Sequence, residues 1–139
     1  MIEGQETKVM SVRDAIIEAI SEEMRRDENV FLIGEDVGVY GGDFGTSVGM
    51  LEEFGSERVR DTPISENAIS GCAVGAALTG MRPIVDVTFM DFIVYMMDNI
   101  VNQAAKTRYM YGGKGSVPVV FRCAAGSGLC SAAQHSQSL

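Results

Sequence analysis

The sequence predicts an α/β fold, a parallel sheet wound with helices on both faces. Two observations predict it. Segments with helical spacing alternate with short apolar or β-branched runs, in the order α β (α) β α β α β. The first of those runs, VFLIG at 30–34, is apolar throughout, as a strand covered on both faces must be.

The elements follow in chain order. Residues 1–10, MIEGQETKVM, form a loose lead-in. Ser11 then caps a helix, and Asp14 puts a negative charge in its first turn. Val12, Ala15, Ile16, Ala19, Ile20 and Met24 recur at three- and four-residue spacing, which is one face of an amphipathic helix. The cations Arg25 and Arg26 suit its C-terminus. After VFLIG comes EDVGVYGGDFG, a glycine-rich loop able to approach a ligand or a neighbouring subunit. Residues 47–54 are expected to form a short helix, and 58–62, RVRDT, a strand.

From Ser65 to Thr79 the pattern is helical, with Gly80 able to supply the left-handed residue past its end. Gly71 and Gly75 share a face. Each costs about 1 kcal/mol of helix stability against alanine, so the pair points to a close neighbour. That neighbour is either the sheet or a second subunit. PIVDVTF at 83–89 reads as a strand led by proline. Helix is expected again from Asp91, with Phe92, Tyr95, Met96, Asn99, Ile100 and Gln103 on related faces, until Gly112-Gly113. SVPVVFRCA at 116–124 is the last strand, and a glycine- and serine-rich loop carries the only histidine, His135.

Composition narrows the function. The 139 residues suit one domain with one core, and 46% apolar against 22% charged residues favours folding over disorder. A net charge of −8 with no basic stripe argues against nucleic acid and anionic membranes as partners. No signal segment or bilayer-length apolar run occurs, so a cytoplasmic location is expected. Cys72, Cys123 and Cys130 lack metal-ligand spacing and cannot all pair, and with one histidine no metal site is expected. Two of the cysteines lie in apolar runs and read as small core residues. No glycine-rich phosphate fingerprint opens a helix. The ending, AAQHSQSL, has neither a helix stop nor a polar tail, and truncation of a longer chain is expected.

In open α/β sheets, ligands bind beyond the carboxyl ends of the strands. Here those ends lead into the glycine-rich loop, Glu66, Phe92 and the segment reaching His135. Together they outline one pocket with a carboxylate, an aromatic face and an imidazole. Each residue also has a plainer reading. Glu66 suits a helix N-terminus, Phe92 suits a core, His135 suits a structured loop, and Glu35 and Asp36 suit a solvated turn.

Four stretches in order, LIGEDVGVYGG, RVRDTPISENAISGCAVGAALTGMRPIVDVTFMDFI, DNIVNQAAKTRYMYGG and AAQHSQS, carry a family resemblance. From about residue 9 onward the chain resembles the β subunit of the thiamine-diphosphate-dependent first component of the 2-oxo acid dehydrogenase complexes, pyruvate and acetoin dehydrogenase above all. The resemblance implies that 11–139 is the pyrimidine-binding domain of that subunit, with its thiamine diphosphate-binding fold. It implies an α subunit that supplies the magnesium and diphosphate site, an α2β2 heterotetramer, and transfer to a lipoyl-bearing acyltransferase core. It also implies roles. Glu66 matches the acid that hydrogen-bonds a ring nitrogen of the cofactor's aminopyrimidine and shares a proton with it, as a desolvated carboxyl beside an apolar ring is able to do. Phe92 matches the aromatic stacked on that ring, and Ile64 and Thr88 match positions lining its pocket. His135 matches the histidine near the reacting carbonyl. Two alternatives stand beside this reading: another transketolase-type thiamine enzyme, and a non-catalytic α/β interaction module.

Overall fold

A computed structural model describes residues 7–139. Four strands form one parallel sheet: β1 (Val30–Gly34), β2 (Val59–Asp61), β3 (Arg82–Phe89) and β4 (Val120–Ala124), in the order β2-β1-β3-β4. The helices are α1 (Val12–Arg26), α2 (Met50–Phe54), α3 (Glu66–Leu78) and α4 (Ala105–Met110). Residues 7–11 have no regular structure, and the rest of the expected lead-in, 1–6, lies outside the described residues.

β1 shows why helices cover both faces. Successive strand side chains point to opposite sides. Val30 and Leu32 join Ile20 and Met24 of α1, Met50 of α2 and Val59 in one core. Phe31 and Ile33 join Ile69 and Ala73 of α3, Val85, Val87 and Met96 in the other. All five residues of β1 are buried, as its apolar run requires.

α1 begins where its cap predicts, with Ser11 Oγ accepting from the Asp14 N–H at 3.1 Å. Its apolar stripe is buried only in the second half, at Ile20 and Met24, while Val12 is 79% exposed. The Arg58 guanidinium fastens this end to the sheet by donating to the carbonyls of Met24 (2.8 Å), Asp27 (2.9 Å) and Val30 (2.9 Å).

Several elements differ from the sequence expectation. The helix expected over 47–54 starts only at Met50, because Gly49 is left-handed with φ 81°. The strand expected over 116–124 pairs only from Val120, opposite Ile84. Pro118 and Pro83 both lack the N–H that would extend that ladder. From Met90 to Met110 the chain is helical, but tightened into 3₁₀ over Met90–Met96 and widened into π over Asp98–Ala104. A 3.6-residue period therefore misplaces faces. Met96 is buried and Phe92, Asn99 and Ile100 are half-buried, but Tyr95 and Gln103 are exposed. Cys72 and Cys130 are exposed and Cys123 is half-buried, so none is the fully buried core residue expected. Gly71 meets the Asn99 side chain at ordinary contact distance, whereas Gly75 faces open space, so the glycine pair does not pack on the sheet.

Candidate active site

The four carboxyl-edge loops lie side by side in strand order, and each carries part of the site. The loop after β1 is docked on β2 within the chain. The Gly38 N–H donates to Asp61 Oδ1 at 2.7 Å, and a Cβ at Gly38 would collide with that carboxylate. Farther along, the loop delivers Phe44 and Thr46.

After β2, Pro63 and Ile64 lead into α3, whose first residue is Glu66. Glu66 is half-buried. The hydrogen bonds of this turn run from Ser65 Oγ to the Pro63 carbonyl and from Ser70 Oγ to the Glu66 carbonyl. None of those found among the described residues uses the Glu66 carboxylate. Glu35, which reads as a solvated charge in the sequence, is half-buried and accepts from the Ser65 N–H at 3.3 Å. Burial pushes its carboxyl above the ordinary 4.5, the Ser65 bond opposes this, and Glu66, Asp36 and Asp43 add to the rise. Ile64 is 83% exposed.

After β3 and β4 the aromatic part assembles. Phe92 and His135 meet with ring centres 5.4 Å apart, edge to face. Phe89 lies against both, 4.6 Å from His135 and 5.9 Å from Phe92, and Phe44 packs on Phe89 at 5.3 Å. Edge-to-face pairs of this kind hold one another in place. A cavity of about 200 Å³ opens here, lined by Phe44, Phe89, Leu129 and His135 with small residues of the 124–128 turn. A larger cleft, about 270 Å³, is lined by Phe31, Arg60, Cys72 and Met81 and contains none of the site residues. Met81 precedes β3, at the amino end of the sheet, so position favours the smaller cavity.

Thr88 is buried and left-handed, with φ 63°, at an irregularity between Asp86 and Phe89 where β3 slips against β4. Its N–H donates to Asp86 Oδ1 at 3.0 Å. Asp86 is paired with Arg122 on β4, and burial raises its carboxyl above the ordinary 3.8 while Arg122 pulls it back. Arg122 also donates to Thr46 Oγ1 at 2.6 Å.

Of the five residues singled out in the sequence, the structure brings Phe92 and His135 together. It places Glu66 beside Glu35 on the β2 side, leaves Ile64 at the surface, and buries Thr88 at a strained bend. Phe44, Phe89, Glu35, Asp86 and Arg122 were not anticipated. A signal existed for two of them: an aspartate inside PIVDVTF and an arginine inside VVFRCA are costly in buried strands unless paired. Among the described residues no group of three or more His, Cys, Asp or Glu side chains could hold a metal ion.

Fold and site together define an open parallel α/β domain with a carboxyl-edge site divided between a carboxylate half and an aromatic–imidazole half. The chain belongs to the transketolase pyrimidine-binding domain family, whose model matches residues 8–139. It is 49% identical to the acetoin:2,6-dichlorophenolindophenol oxidoreductase subunit beta of Bacillus subtilis (strain 168), over 95% of this chain and 42% of that protein. It is 48% identical to the pyruvate dehydrogenase E1 component subunit beta of Rhizobium meliloti (strain 1021), over 96% and 29%. It is 50% identical to the 2-oxoisovalerate dehydrogenase subunit beta of Bacillus subtilis (strain 168), over 94% and 40%. The chain thus spans less than half the length of these relatives. Among solved structures, a split-gene transketolase in an inactive beta4 tetramer superposes with a TM-score of 0.64 at 19% identity, over 93% of this chain and 37% of that one, a likeness of fold alone.

Proposed function

We propose that this chain is the pyrimidine-binding part of the β subunit of a thiamine-diphosphate-dependent dehydrogenase. With an α subunit it decarboxylates pyruvate or cleaves acetoin, and the acyl-forming unit passes to a lipoyl group on an acyltransferase core. The observation that carries this reading is the half-buried Glu66, whose carboxylate no donor in the turn claims, at the strand-to-helix step of a sheet whose next loops supply Phe92 and His135.

Those residues fit a flat heteroaromatic ring. The aromatic half offers half-buried ring surface from Phe92 and Phe89, and Glu66 offers a carboxyl able to share a proton with a ring nitrogen. When bound, the cofactor supplies the electron sink for cleavage next to a carbonyl. This chain binds the pyrimidine through Phe92, with Thr88 and Ile64 lining its place. Glu66 would share a proton with the ring nitrogen when the cofactor is bound. His135 delivers or removes a proton at the substrate carbonyl, or binds the substrate carboxylate.

Magnesium and diphosphate are held by the α subunit in an α2β2 heterotetramer. Residues 11–139 form the pyrimidine-binding domain of a longer β chain, and the protein is cytoplasmic. No helix among the described residues is long and apolar enough to cross a membrane. Identities to acetoin, pyruvate and 2-oxoisovalerate enzymes all lie between 48% and 50%, so they do not choose the substrate. The reading of pyruvate or acetoin rests on the resemblance of TPISE and AAQHSQ to those enzymes. Calorimetry of thiamine diphosphate with magnesium on the full-length β subunit plus α tests the cofactor, and a substrate panel on the same pair tests the choice. Tight saturable binding is expected. Absence of binding would favour a non-catalytic interaction module.

A further inference from the structure

We propose that Asp86 and Arg122 form a positioning pair that sets the backbone at Thr88 and thereby aims Phe89 at His135 and Phe92. A left-handed backbone is costly for a β-branched residue and persists only when its surroundings over-determine it. Here the Asp86 carboxylate does so, accepting the Thr88 N–H at 3.0 Å through Oδ1. Its other oxygen is held by Arg122, directly opposite on β4 in the strand register. Beyond that point the register shifts, and Phe89 pairs with Ala124. The bend at Thr88 therefore determines where the Phe89 ring points. The same guanidinium donates to Thr46 Oγ1 and so anchors the loop that brings Phe44 against Phe89. One largely buried ion pair thus fixes both sides of the cavity that His135 lines.

The importance of that aim for a bound ring rests on the function proposed above, but the geometry does not, and the two are tested separately. His135 is the only histidine of the chain, so its ring protons give an unambiguous NMR signal that is sensitive to the neighbouring aromatic rings. Asp86→Ala combined with Arg122→Met removes both charges, which a buried pair tolerates far better than losing one partner. In that variant the Thr88 N–H has lost its acceptor, and the His135 signals should shift. Adding Thr88→Gly, which adopts a left-handed backbone without help, should return them towards wild type. In the α-paired full-length β subunit, the double variant should weaken thiamine diphosphate binding several-fold, and Thr88→Gly should recover part of it. Unmoved His135 signals in a folded double variant would overturn the proposal. So would a failure of Thr88→Gly to restore the signals. A normal turnover in Glu66→Gln would refute the proposed function and leave the His135 readout untouched.

Discussion

The Glu35 carboxyl, which accepts from the Ser65 N–H at the start of α3, feels the charge of Glu66, and this has a consequence for pH. Burial, with Glu66 and the two nearby aspartates, raises the Glu35 carboxyl above its ordinary 4.5. The native state therefore holds that proton more tightly than the unfolded chain does. The contribution is fully favourable below about 4.5 and is lost as pH rises through the folded value. Glu35→Gln keeps an acceptor for the Ser65 N–H and removes the charge. It should be slightly more stable than wild type at pH 7, by no more than about 0.5 kcal/mol given solvent screening. That advantage should vanish near pH 4, as thermal melts across the range would show. The placement of Glu35 was not legible in the sequence, because a charge beside glycines reads as solvated until the β2 turn folds over it. The edge positions of Glu66 and Phe92 were legible because each follows a strand within a few residues, and that of His135 because the loop after β4 carries it. Phe89 was not, since as the last residue of a strand it counts as one more core position.

At the scale of elements, the continuous apolar run of β1 announced two covered faces, and the two cores bear this out. The ends of elements were harder. Gly49 and the prolines at 83 and 118 decide where α2 and β4 begin, through a left-handed backbone and missing N–H groups. The 3₁₀ and π winding of 90–104 is something a hydrophobic period does not encode. The junction between α1, β1 and the segment before β2 hangs on Arg58, which donates to three backbone carbonyls. Arg58→Ala leaves those carbonyls without their donor and should cost about 2 kcal/mol, measured as a lower midpoint in urea. Arg58→Lys should recover only part of this, since an ammonium does not span three carbonyls as a planar fork does.

For the whole molecule, the family model covers residues 8–139, while the relatives extend well beyond the length matched here. The proposed division of labour puts the diphosphate on another chain, so this chain alone should show no turnover with pyruvate or acetoin, even when thiamine diphosphate and magnesium are supplied. Turnover by the isolated chain would refute the two-subunit reading. The most direct test of the central claim lies at Glu66. In a full-length β subunit carrying Glu66→Gln and assembled with α, thiamine diphosphate should still bind, because Phe92 and the α subunit remain. Turnover should fall by about 100-fold or more, the usual loss when a positioned proton-transfer group is removed. Turnover near wild type, with the cofactor bound, would contradict the role assigned to Glu66.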